Sequence, residues 1–259
     1  MIARACCAFL CTLAFATGAL AHLTPADASQ RAGFEQRLSA QLPAALAFRD
    51  EADRNVRLGD YFGATPIVLV FAWYGCTTLC PTVVGNVAAA LGRSGLAHGS
   101  YRVLVASIDA RDAPADARRM KRRYLAQANV DAGAWHLLTG SAADIAALTH
   151  AAGFRYAYDD ATHQYAHPAG IVLLTPQGSI AHYFFGFDFT PAALHDAVDA
   201  AAADEIGSPV ERLLLVCFHF APAGPYSALV MQALRIGSVA LLVAGLALFV
   251  AMRRRTALR

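Results

Sequence analysis

The chain holds 259 residues, with 21 Lys and Arg against 19 Asp and Glu, a formal net charge of +2 and a hydrophobic fraction of 57%. That charge makes no case for nucleic acid, because Arg253, Arg254, Arg255 and Arg259 follow an apolar segment instead of building a basic face. The hydrophobic fraction owes much to two apolar segments, one near each end, and no internal repeat or low-complexity tract stands out.

Met1 to Arg4 supply one positive charge, residues 5–16 are almost wholly apolar, and Ala19-Leu20-Ala21 offers the small-x-small pattern of a signal-peptidase site. Residues 1–21 therefore read as a signal peptide, with an uncleaved anchor as the alternative; either way the body is exported. Cys6, Cys7 and Cys11 leave with a cleaved signal, so the mature chain keeps Cys76, Cys80 and Cys217. An odd cysteine count outside the cytosol argues against a disulfide-stapled scaffold and for reactive or metal-binding thiols. Residues 22–44, polar and Ala-rich, are expected to be a mobile lead-in to one domain over 45–204.

Within that domain, residues 67–74 form an apolar run rich in β-branched and aromatic residues, which reads as a buried strand. Pro81 suits the first turn of a following helix that runs to about Leu91 and closes at Gly92 and Gly95. A second buried strand is expected over 101–108, a helix from Pro114 to about Gln127, a short apolar piece over 136–140, and a helix from Ser141 through Ala152. Residues 170–175 and 179–185 read as strands joined by Pro176-Gln177-Gly178, and 191–203 as a closing helix. This alternation defines an α/β three-layer arrangement of thioredoxin-like order, with a cysteine pair at the end of the first central strand. A connector over 205–234 then leads to a transmembrane helix over 235–252. Seventeen uncharged residues, 236–252, span roughly 26 Å, extended slightly if Arg235 snorkels. The arginines of 253–259 mark the cytoplasmic side.

The chemistry centres on Cys76-Thr77-Thr78-Leu79-Cys80-Pro81, on the strand-to-helix turn. A helix N-terminus favours thiolate over thiol, and thiolates serve both soft-metal binding and disulfide exchange. Two thiolates suit Cu(I), but a stable mononuclear site wants a third ligand. His167, on the loop entering the 170–175 strand, is the best placed of nine histidines, and His163 is the reserve.

These blocks resemble the Sco/SenC family of copper proteins over about residues 45–200. The cysteine stretch is similar to the family's CxxxCP, residues 107–114 to its S-x-D-P-x-x-D-T-P block, and Trp135, Leu138-Thr139-Gly140 and Phe187-Asp188-Phe189-Thr190-Pro191 also fit. His167 falls where the family's ligand histidine lies. Thr77, Ala110, Ala113 and Pro168 depart from the pattern, and Pro168 restricts His167 to extended conformations. The resemblance implies a copper site of Cys76, Cys80 and His167 that helps metallate the binuclear copper centre of cytochrome c oxidase. The partner would be the copper-bearing subunit of a haem–copper oxidase. The setting would be a bacterial inner membrane, with the domain in the periplasm. Cys76 and Cys80 would also be the redox pair of the alternative, a metal-independent thiol–disulfide reductase keeping the oxidase cysteines reduced. Asp109 and Asp112, in the loop after the second strand, would orient His167, dock the partner or serve as solvated turn residues.

Other readings stay open. Thr77-Thr78-Leu79-Cys80 satisfies the T-x-x-C pattern of a thiol peroxidase, which needs an arginine that the sequence does not identify. A copper sensor fits the same ligands. Cys217 and His219 form a possible auxiliary copper site, and His22, freed as an N-terminus, a chelating amine and imidazole.

Overall fold

The computed structural model describes residues 32–76, 79–125, 128–160 and 163–207, with 232, 236 and 237 beyond them. The chain divides into two compact units at Gly207 and Ser208, and the first is described here. The expected signal, the expected span over 235–252 apart from residues 236 and 237, His22, Cys217 and His219 lie outside the described residues. Among the described residues no helix is long and apolar enough to cross a membrane.

Eleven strands and four α-helices are described. In chain order they are β1 (Gly33–Phe34), β2 (Ala47–Arg49), β3 (Asn55–Arg57), β4 (Ile67–Ala72), α1 (Leu79–Leu91), β5 (Arg102–Ser107), α2 (Pro114–Leu125), β6 (Trp135–Gly140), α3 (Ala142–Ala151), β7 (Phe154–Arg155), β8 (Ala157–Asp159), β9 (Gln164–Ala166), β10 (Gly170–Leu174), β11 (Ile180–Phe185) and α4 (Pro191–Ala202). Seven strands make one sheet in the order β11-β10-β4-β5-β6-β2-β3. Its centre, β4-β5-β6, is parallel, and β10 and β2 flank it antiparallel.

Every residue of β4 is buried. A strand covered on both faces needs apolar side chains at every position, which explains the uninterrupted run. Strand alternation divides them between two cores. Val68, Val70 and Ala72 face α1, α2 and α4, meeting Val84, Val87, Met120 and Leu194. Ile67, Leu69 and Phe71 face Ile145 and Leu148 of α3 together with Leu42, Phe48 and Leu58. Each of these side chains larger than alanine contributes about 1.5–3 kcal/mol on burial, before the entropy of ordering it. The Ser141 and Thr190 hydroxyls accept from the backbone N–H of Asp144 and Ala193 and so cap α3 and α4.

The lead-in expectation fails for its later half. From residue 33 the chain is docked: β1 pairs antiparallel with β7, Ser39 N–H donates to the Ile180 carbonyl, and Leu42 N–H donates to that of Gly178. Leu42 is 0% exposed. Phe34, Leu38 and Leu42 are the anchors, and the surrounding polar and small residues concealed them. Gly153 admits this strap. Its φ is +65°, and an added Cβ would lie 1.8 Å from the Glu35 carbonyl oxygen.

Candidate metal centre

The turn after β4 carries Cys76, half-buried, and α1 carries Cys80 as its second residue, 1% exposed. Both are thiols not joined by a disulfide. Burial follows from packing: Cys80 sits in the core with Val83, Val84 and Ala72. Its sulfur accepts the Trp73 N–H at 3.4 Å. A hydrogen bond with Cys76, then burial, push the Cys80 thiol well up. The expectation that the helix N-terminus would favour thiolate at Cys80 is thus reversed in the two-thiol state, because a second sulfur and a dry environment outweigh the dipole.

His167 reaches the same sulfur. Its Nε2 lies 3.2 Å from Cys80 Sγ. Its Nδ1 lies 3.0 Å from the Pro168 carbonyl oxygen, which can only accept. A ring that donates through Nδ1 turns its Nε2 lone pair toward the Cys80 sulfur, the arrangement a metal-binding imidazole uses. Pro168, a departure in sequence, supplies this contact through its backbone. Among the described residues no three His, Cys, Asp or Glu side chains are already grouped as a metal-holding set. What the structure brings together is two pairwise contacts that share Cys80, one to Cys76 and one to His167. His163 lies apart, its Nδ1 3.4 Å from the Tyr158 hydroxyl.

The loop bearing His167 hangs from the β8–β9 hairpin, which the sequence did not reveal. Tyr165 packs on Trp73, Tyr156 and Tyr158, with ring centroids 5.6, 5.8 and 5.0 Å away. Phe154 backs the imidazole at 6.2 Å.

The two expected carboxylates are both hydrogen-bonded within the chain. Asp112 accepts from Tyr74 N–H (2.9 Å) and Ser107 Oγ (2.6 Å), fixing the cysteine turn to the end of β5. Burial holds its carboxyl above the usual range. Asp109 accepts a fork from Arg111, with Nε 2.9 Å from Oδ1 and the terminal nitrogen 2.8 Å from Oδ2. Burial would raise Asp109, but the Arg111 bonds, with a further bond to Tyr165, hold it below the usual range. Arg111 lies 5.0 Å over the Tyr158 ring. The Asp109–Arg111 fork thus meets the hairpin at Tyr158 and Tyr165. The Tyr74 hydroxyl reaches the carbonyls of Val105 (2.6 Å) and Leu138 (2.9 Å), tying the turn across β5 and β6.

Cys80, the cysteine of the T-x-x-C pattern, is buried, whereas Arg119, Arg122 and Arg123 share a cavity with Cys76. Arginines therefore adjoin the more exposed thiol, not the one the peroxidase pattern picks out.

A central parallel sheet between helices, with two thiols where the first central strand meets a helix, is a thioredoxin-like fold. A family model described as SCO1/SenC matches residues 35–203, and the chain belongs to that family. No curated protein matches the chain. Among solved structures, a protein of Aquifex aeolicus VF5, described as a candidate electron transfer protein, is 20% identical with a TM-score of 0.59, covering 67% of this chain and 98% of its own. Arabidopsis thaliana ScoI with copper bound is 15% identical with a TM-score of 0.53, covering 65% and 99%. BsSco, described as a member of the Sco family of cytochrome c oxidase assembly proteins with a disulfide switch, is 18% identical with a TM-score of 0.53, covering 65% and 98%. At these identities the likeness is one of fold.

Proposed function

We propose that this chain is an exported copper chaperone that holds copper through Cys76, Cys80 and His167 and helps metallate the binuclear copper centre of a cytochrome c oxidase. The observation that carries the reading is the 3.2 Å approach of His167 Nε2 to the Cys80 sulfur that also meets Cys76. Two thiolates and one imidazole form a soft set suited to Cu(I), which moves between thiolate sites by ligand exchange. The hydrogen bond with Cys76, then burial, keep Cys80 a thiol when metal is absent, so loading releases its proton. The copper held by Arabidopsis thaliana ScoI and the assembly role attached to BsSco support the same reading. The oxidase subunit bearing the copper would be the partner. An export signal over 1–21 and a span over 235–252 would fix the domain on the periplasmic face of a bacterial inner membrane, with the C-terminus cytoplasmic.

The Cys76–Cys80 contact favours a second reading, a thiol–disulfide reductase that keeps the partner's cysteines reduced. Copper titration of the full chain in detergent separates the two. Stoichiometric binding, lost in Cys76→Ser, Cys80→Ser and His167→Ala, is the expected result. Copper retained by His167→Ala would remove the imidazole from the ligand set, and no copper in the unaltered chain would leave the reductase.

A further inference from the structure

We infer that the cavity beside Cys76 is a subsite for thiols and disulfides flanked by carboxylates. The inference rests on the reading of Cys76 as a functional thiol and adds what that thiol meets. The cavity is about 490 Å³ and takes its lining from the cysteine turn and from α2. That volume suits a small ligand or one short segment of a larger one.

Its chemistry is uneven. Tyr74, Met120 and Tyr124 give apolar surface, while Arg119, Arg122 and Arg123 bring three guanidinium groups. One carboxylate, Asp116, lines it too, and that group is paired with Arg119. Arg122 and Arg123 are exposed and face no further acid in the lining. Arg123 lies 5.6 Å over the Tyr124 ring, which holds its guanidinium at the rim. Guanidinium forks match carboxylates in shape and charge. Cys76 lines the cavity and Cys80 does not, so the more exposed thiol of the pair is the one a bound sulfur would meet.

For a disulfide ligand, the Cys76 sulfur attacks one ligand sulfur, forms a mixed disulfide, and expels the other half as a thiolate that takes up the proton Cys76 gave. Cys80 then displaces the bound half in the same way. The net change oxidises the two cysteines to a disulfide and reduces the ligand disulfide to two thiols. The shared chemistry, a sulfur among carboxylates, can come from a free acidic thiol or from an acidic cysteine-bearing segment of a protein.

The test measures oxidation rates of the reduced, metal-free full chain in detergent with glutathione disulfide (anionic), 2-hydroxyethyl disulfide (neutral) and cystamine (cationic). The expected order is anionic, neutral, cationic, at least about tenfold between extremes and shrinking with salt. Arg122→Glu combined with Arg123→Glu should reverse the order. Arg118→Glu, on the same helix but outside the lining, should not. Rates within about twofold of one another in the unaltered chain, or an order unchanged in the double variant, would overturn the subsite. A disulfide-linked acidic peptide, run beside glutathione disulfide, tells which source reacts faster, and either answer requires the anionic preference. Copper titrations on the same samples keep the two ideas separate: absent copper with the rate order intact sinks the chaperone reading alone, and copper with no rate order sinks the subsite alone.

Discussion

The two halves of the centre are held in place by different means. The cysteine turn is local: a fully buried strand ends, a helix begins, and Asp112 and the Tyr74 hydroxyl tie the turn to neighbouring strands. The histidine loop is remote. It depends on a short two-stranded hairpin, a layer of tyrosines, and the Asp109–Arg111 fork. Fixed sulfurs and a suspended nitrogen imply that the copper-specific half can be lost while the thiol half survives.

The largest effects should come from the ligands. Cys80→Ser is expected to abolish copper binding and dithiol exchange together, whereas His167→Ala removes only copper, by more than about a hundredfold in affinity. Exchange lost in His167→Ala, read by thiol titration after disulfide challenge, would show that the halves are not separable. Next comes Tyr165→Ala, which strips the hairpin of its ring contacts. Copper affinity should fall roughly 10–100-fold with exchange rates preserved, and stability should fall by about 1–3 kcal/mol for the lost packing. Equal losses in both activities would contradict the division.

Asp109→Asn should cost less, about tenfold or under in copper affinity, and should also alter the acid limb of stability. Asp50, Glu51 and Asp109 are each held below their usual range; burial opposes this and hydrogen bonds from Arg54, Lys121 and Arg111 outweigh it. Lowered folded values give stability that is complete above the unfolded range near 3.9–4.3 and is lost as pH falls through the folded values. Asp112 is raised by burial and runs the opposite way, gaining its proton first in the folded chain. Melting temperatures between pH 7 and 2 should therefore drop steeply below about pH 4, and less steeply in Asp109→Asn. The smallest effect is Tyr74→Phe, about 1 kcal/mol of stability with copper affinity unchanged. A copper defect there would mean the turn is less independent than its bonds imply.

The sequence made the cysteine turn legible because strand, turn and helix each leave local marks: the apolar run, the two thiols and Pro81. Central elements such as β5, α3 and β10 carry equally local periodicity. The hairpin carrying the histidine loop did not show, since β8 and β9 are three residues each, too short for alternation to register, and are stabilised by cross-strand tyrosines. His167 is legible from its place on the loop entering β10, and the family resemblance adds to it. The docked strap, β1 to Leu42, hid for a related reason: its partners Phe154, Gly178 and Ile180 lie far along the chain. The raised Cys80 thiol is hidden because the dipole is visible in sequence, whereas the hydrogen bond with Cys76 and the burial are not.

That strap has a mechanical consequence. Phe34 touches Phe154, Tyr183 and Phe185, it fits because Gly170 has no side chain to meet it at 2.9 Å, and Phe154 backs the His167 imidazole. A pull on the polypeptide ahead of Gly33 is borne first by a two-residue ladder. Peeling it would strip Phe34 from the Phe154 ring that backs the imidazole, while the sulfurs, anchored by β4 and α1, felt no load. Under tension, the grip on an ion would fail from its nitrogen side first.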